Sequence, residues 1–148
     1  MQLQPIALDP ADHQPALDVV GVRITVLASR EQTGSHEVTL QEGPEGAGPP
    51  PHVHGWDESF YVLSGSVECL VDGKPVRADK GAFLHVPAGT SHGFHFGAGG
   101  GSMLEIAGKG ANATRLFKGL SEAMGPQGPD MPRFLGVAEA NGVKFEMA

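Results

Sequence analysis

A chain of 148 residues with 40% hydrophobic content is the size of one compact domain with its own core. Ten basic and seventeen acidic residues give a net charge of -7 without any Lys/Arg cluster, which argues against a nucleic-acid partner, and the absence of a long apolar run argues against a membrane span. Twenty-two glycines, twelve prolines and only 6% aromatic residues suit short strands joined by tight turns better than a helical bundle.

In chain order, residues 1–17 read as an N-terminal arm. It has neither the basic start nor the apolar run of a secretory leader, so a cytoplasmic location is expected. Residues 18–27 and 36–41, rich in Val, Ile, Thr and Leu, read as strands joined by the loop 31–35. Residues 42–51 are a Gly/Pro-rich connection whose last three prolines stiffen the approach to His52. Strands follow at 59–63 and 66–71, and Asp72-Gly73 signals a two-residue hairpin into 75–78. Cys69 is the only cysteine, which excludes an intrachain disulfide and reads as a small buried apolar residue. Segments 83–86, 91–96 and 102–106 continue the series, with 97–101 as a mobile turn between the last two. Beyond them, 120–132 is a long irregular connector of the kind that serves as a lid, an intersubunit arm or a loosely packed tail. Residues 133–140 read as one short helix, started by Pro132 and stopped by Asn141-Gly142, and 143–147 as an edge strand. Strand follows strand without crossover helices, so the expected fold is all-β: a jelly-roll β-sandwich or small barrel with a short C-terminal helix.

Chemistry concentrates in two segments. Side chains alternate along a strand, so His52, His54 and Glu58 share parity and can point inward together. His92 follows a Pro87-x-Gly89 turn and can reach the same point from a neighbouring strand. Three imidazoles and one carboxylate, with no thiolate, form a metal-ligand set suited to Fe, Mn, Ni, Co, Cu or Zn. An octahedral ion held by four protein ligands keeps two positions open for water, substrate or dioxygen.

At these residues the chain resembles the cupin superfamily. The first cupin motif, Gly, five residues, His-x-His, three or four residues, Glu, six residues, Gly, is met in full by Gly46, His52, His54, Glu58 and Gly65. The second, Gly, five residues, Pro-x-Gly, two residues, His, three residues, Asn, is met by Gly81, Pro87, Gly89 and His92, but Phe96 stands at the Asn position. That Asn is not a metal ligand in the family, so the departure leaves the ligand set intact and makes the pocket beside His92 more apolar. The resemblance implies a cupin barrel over residues 18–108, followed by a C-terminal extension, 109–148. It also implies one divalent metal ion per chain, held by His52, His54, Glu58 and His92.

By parity with Glu58 and His92, Phe60, Val62, Phe94 and Phe96 line an apolar pocket that is also core, and Trp56 sits at its rim. His85 and His95 read as packed or solvent-facing, and His13 and His36 as surface residues. The functional expectation is a small single-domain cupin similar to quercetinase-like dioxygenases: a mononuclear-metal oxidoreductase acting on an apolar or aromatic enol or diol. Glu58 doubles as ligand and catalytic proton acceptor in that reading. A metal-dependent isomerase or lyase without oxygen chemistry, and a non-catalytic metal- and ligand-binding cupin, are the alternatives. A small-molecule ligand and a homodimer are the expected partners, the dimer because an open sandwich has strand edges to cover.

Overall fold

The computed structural model describes residues 2–146. After a 3-10 turn at Pro10–Asp12 come β1 (Leu17–Val19), β2 (Val22–Ala28), the one-turn helix α1 (Arg30–Thr33), β3 (Glu37–Gly43), β4 (His52–His54) and β5 (Glu58–Val71). Then follow β6 (Lys74–Asp79), β7 (Phe83–Val86), β8 (His92–Ala107), α2 (Ala113–Glu122), the small hairpin β9 (Met124–Gly125) and β10 (Gly128–Pro129), α3 (Met131–Ala140) and β11 (Val143–Phe145). Strand outweighs helix, 46% to 19%, and the main sheet curls into a half-barrel. The fold is therefore the mostly-β jelly-roll type that turn spacing and composition predict.

One path through the sheet runs β1-β2-β3-β8-β4-β11, and β5 branches from β8 to carry β6 and β7. Two long strands replace the shorter ones expected from sequence. Residues 97–101 do not separate two strands; they are a glycine-rich excursion inside β8, with Gly99 and Gly100 both at φ 81°. Residues 64–66 likewise interrupt β5 only by a shift of register. Such bulges keep the ladder running while bending it, and they flip side-chain parity. On β5 the inward residues are Glu58, Phe60 and Val62 before the shift and Val67 after it; on β8 they are His92, Phe94 and Phe96 before the excursion and Met103, Glu105 and Ala107 after it.

Between the curled faces lie Val62, Val67, Val86, Phe96 and Met103, each at most 2% exposed. The C-terminal segment packs against this core and is more ordered than the sequence suggests. It contains the expected helix as α3, begun two residues earlier with Pro132 in its first turn, and a helix that the sequence reading did not find, α2. Ala113, Leu116 and Leu120 bury one side of α2 against the body. Its start is tied down by a buried carboxylate: Glu37 accepts from Thr114 N at 3.2 Å and from Arg30 N at 3.0 Å. The Arg30 guanidinium in turn donates to Asn112 Oδ1 at 3.1 Å. Gly119 lets α2 and α3 approach closely, because a Cβ there would sit 2.5 Å from Val137 Cγ1. The expected edge strand is β11, pairing antiparallel with β4 (Val143↔His54, Phe145↔His52); Met147 of that expected segment lies outside the described residues. Among the described residues no helix is long and apolar enough to cross a membrane.

Candidate metal centre

The two sequence segments meet at one end of the barrel. β4 brings His52 and His54; Glu58 opens β5; His92 opens β8 and pairs directly with His52. The turn before His92 is fixed from the β4 side, since Gly89 N donates to the His54 carbonyl at 2.9 Å and Ala88 N to Asp57 Oδ1 at 2.8 Å. Asp57 thus performs turn chemistry. Gly89 sits at φ 82°, a left-handed conformation that an L side chain rarely takes.

One ring nitrogen from each of His52, His54 and His92 lies within 4.8 Å of the others. Glu58 adjoins this trio: Oε1 is 3.0 Å from His54 Nε2 and Oε2 is 2.8 Å from His92 Nε2. His54, Glu58 and His92 are buried, and His52 is half-buried. Trp56 stacks on the His54 ring, centroids 4.1 Å apart with planes 8° from parallel.

The Nδ1 atoms decide which nitrogens are free. His52 Nδ1 lies 2.9 Å from the Pro50 carbonyl, His54 Nδ1 3.1 Å from that of Trp56, and His92 Nδ1 2.8 Å from that of Thr90. A carbonyl oxygen only accepts, so each Nδ1 carries the proton and, in the neutral ring, each Nε2 presents a lone pair. Two of those lone pairs then face carboxylate oxygens at 2.8 and 3.0 Å, acceptor against acceptor. Such contacts need either an extra proton or a cation between them. Among the described residues His54 Nε2 makes no hydrogen bond despite its short contact with Glu58. Backbone carbonyls that set the ring tautomer are the arrangement found around metal-binding histidines, so the donor set fits the ion that the sequence motifs imply.

The same contacts set the electrostatics. Burial pushes the Glu58 carboxyl up, but the adjoining His54 and His92 imidazoles outweigh it and hold the group well below the usual carboxylate range. Burial lowers His92, yet its bond to Glu58 and the Glu58 charge raise it overall. Burial and then the neighbouring His92 push His52 down to about 4.

An apolar cavity of about 60 Å³ adjoins the cluster, and His52, His54, Glu58 and His92 all line it. Of the five pocket residues expected from sequence, Trp56, Phe60 and Phe94 reach this cavity. Val62 and Phe96 do not; they lie in the packed interior, with Phe96 fully buried against Gly43 and Gly101. His85 and His95 are exposed, and His85 Nδ1 sits 2.9 Å from Ser59 Oγ. Two groups of lining residues escaped the sequence reading. Leu116, Phe117 and Leu120 of α2, Phe134 of α3 and Phe145 of β11 line part of the cavity, so the C-terminal segment supplies a wall rather than a tail. Gln41 and Glu105 line it as well, and burial, followed by the Glu58 charge, raises the Glu105 carboxyl well above its ordinary range. The signal that could have found Glu105 is the glycine excursion before it, which turns an odd-numbered residue inward.

Residues 36–104 match the Cupin_2 family, described as a cupin domain. Over 70 residues, 47% of this chain, the sequence is 37% identical to quercetin 2,3-dioxygenase of Bacillus subtilis, and the match spans 21% of that protein's length. An RmlC-like cupin from Shewanella frigidimarina superposes with a TM-score of 0.67 at 18% identity, over 77% of this chain and 99% of that one. KdgF from a Halomonas species gives a TM-score of 0.64 at 21% identity, over 75% and 98% of the two chains. These structural likenesses establish the fold.

Proposed function

From the premise that residues 36–104 form a cupin domain, we propose that this protein is a metal-dependent enzyme acting on a small apolar molecule. Its best-supported activity is that of a mononuclear-metal dioxygenase of an aromatic or otherwise apolar enol or diol. His52, His54, Glu58 and His92 hold one divalent ion in this reading. The observation that carries it is the set of three Nδ1–H···O=C bonds, which turn three Nε2 lone pairs towards one place beside a carboxylate. When bound, such an ion supplies Lewis-acid polarisation of a substrate oxygen and, for a redox-active metal, access to dioxygen.

The chain's own residues supply the rest. The apolar wall of Phe60, Phe94, Leu116 and Phe134 excludes water and holds an apolar ring. Trp56 braces the His54 ring by stacking on it. Glu58 accepts the hydroxyl proton of an enol or diol, a role open to it because its carboxylate faces the cavity. In a dioxygenase reaction both oxygen atoms enter the product, so no external reductant is needed. The partial match to quercetin 2,3-dioxygenase supports the oxygen chemistry. The test is an oxygen electrode with flavonols, catechols and diketones, after loading with Fe, Mn, Ni, Co or Cu. Oxygen uptake above the metal-free control is expected; full metal occupancy without uptake refutes the dioxygenase. Turnover that persists unchanged without oxygen identifies the isomerase or lyase alternative, which uses the same ligands.

A homodimer completes the reading. Tyr61 (45% exposed), Phe83 (64%) and Ile106 (41%) stand on the outer face of adjoining strands, and covering such apolar surface by a second copy favours association.

A further inference from the structure

Glu105 on β8 and Gln41 on β3 stand beside the metal cluster without belonging to its ligand set. Both line the cavity, and they are 4% and 2% exposed. The Gln41 side-chain amide donates to Glu105 Oε2 and lies 3.2 Å from Thr39 Oγ1, so Gln41 is anchored and orients the carboxyl. The other oxygen, Oε1, is buried and meets no donor among the described residues, while the Glu58 carboxylate lies within hydrogen-bonding reach of the Glu105 carboxyl. A buried carboxyl oxygen left unpaired is costly, and native structures keep such groups where something else pairs with them. Most of the surrounding lining is apolar, including Val19, Ile24, Phe60, Phe94 and Leu116.

We infer that Glu105, oriented by Gln41, is a recognition group for a hydroxyl on a small, otherwise apolar ligand. The inference rests on the small-molecule reading of the cavity and narrows its substrate class. A hydroxyl both donates and accepts, so it satisfies Oε1 whichever protonation state the carboxyl holds. A carboxylate ligand is disfavoured, because Glu58 and Glu105 share the cavity. At about 60 Å³ the cavity has the room of roughly two water molecules. A single ring exceeds that room less than a fused polycyclic ligand does, so smaller movements of the lining admit it.

Phenol and toluene, alike in ring and near in volume, separate the hydroxyl from the rest. Each is titrated into the full chain by ligand-observed NMR, once after chelation and once after zinc loading, with metal content measured in parallel. Chelation removes any contact between phenol oxygen and metal. The chelated wild type binds phenol about tenfold more tightly than toluene. Glu105→Met brings that ratio close to one, and Glu105→Gln keeps most of it, both with metal content unchanged. Equal binding of the two probes to wild type overturns the inference. So does an unchanged ratio in Glu105→Met, the result expected if Oε1 is satisfied by a proton shared with Glu58. Should Glu105→Met fail to fold, nuclear Overhauser contacts between bound phenol and the Gln41 amide protons decide: their presence supports the assignment and their absence refutes it. Failure of the metal reading shows separately, as absence of loaded metal with the phenol-to-toluene ratio intact.

Discussion

Replacing Gly65 by Ala tests whether the bend that joins the two halves of β5 is set by backbone contact. Gly65 lies at φ 66°, at the register shift where β5 meets β8. A Cβ there would be 2.1 Å from the Gly100 carbonyl oxygen and 2.8 Å from Gly101 Cα, where ordinary contact is about 3.5 Å. Both atoms belong to the central strand of the sheet, so no flexible side chain can give way and β8 must shift by about 1 Å. The left-handed conformation costs Ala about 1–2 kcal/mol, and overpacking adds about 1–3 kcal/mol. Gly99→Ala is the control: its φ is 81°, but a Cβ meets nothing within 4 Å, so it carries only the conformational part. At about 2–4 °C per kcal/mol for a chain of this size, Gly65→Ala should melt below Gly99→Ala by about 2–12 °C. Thermal unfolding of the two variants and wild type after chelation, followed by circular dichroism, gives the difference. Melting within 1 °C of each other would refute the reasoning and show that the strands absorb the methyl group.

Four further outcomes are expected. Glu58→Gln should keep metal through its three histidines, with affinity lowered at least about tenfold, and lose turnover; equilibrium dialysis beside an activity assay checks both, and full activity would remove Glu58 from the chemistry. His52 has its pKa lowered from 6.5 to about 4 on folding, so the unfolded chain binds the proton more readily in that window. The chelated protein therefore loses the His52 contribution as pH falls from 6.5 to about 4, and His52→Gln should flatten that part of a melting-temperature profile; identical slopes would contradict the shift. Phe134→Ala removes a side chain only 5% exposed in the cavity wall and should lower stability by about 3–5 kcal/mol in denaturant titrations, a loss below 1 kcal/mol meaning that α3 is not packed as described. Phe83→Asp places a charge on the exposed outer sheet face and should convert the proposed dimer to a monomer in sedimentation velocity; an unchanged dimer would place the interface elsewhere, and a monomeric wild type would refute the dimer.

The metal-ligand candidates were legible because their signal is short-range. His52, His54 and Glu58 fall on one parity within a single segment, and a Pro-x-Gly turn announces His92. Strand order along the chain was legible for the same reason, from alternation and from Asp72-Gly73. What escaped depends on long-range geometry. The bulges at 64–66 and 97–101 look in sequence like loops between strands, yet they are bends within strands, and by reversing parity they turn Glu105 inward. Parity also fails for β3, whose inward residues are Glu37, Thr39 and Gln41 while Val38 and Leu40 take the other face; hydrophobic alternation there points the wrong way. Val62 and Phe96 share parity with cavity residues but sit deeper in the barrel, a distance along the axis that periodicity does not encode. The N-cap residue of α2, Asn112, makes no side-chain capping bond, and the helix carries Thr, Phe and Gly within its length, so its stability comes from burial against β1 and from Glu37 at its start.

The central claim is that His52, His54, Glu58 and His92 hold one ion. Elemental mass spectrometry of the protein purified without chelator, beside a His52→Ala/His92→Ala variant, tests it most directly. Close to one transition-metal ion per wild-type chain is expected, either as purified or after reconstitution, and none in the variant. Wild-type protein that stays metal-free after reconstitution, or a variant that binds the ion as well as wild type does, would contradict it.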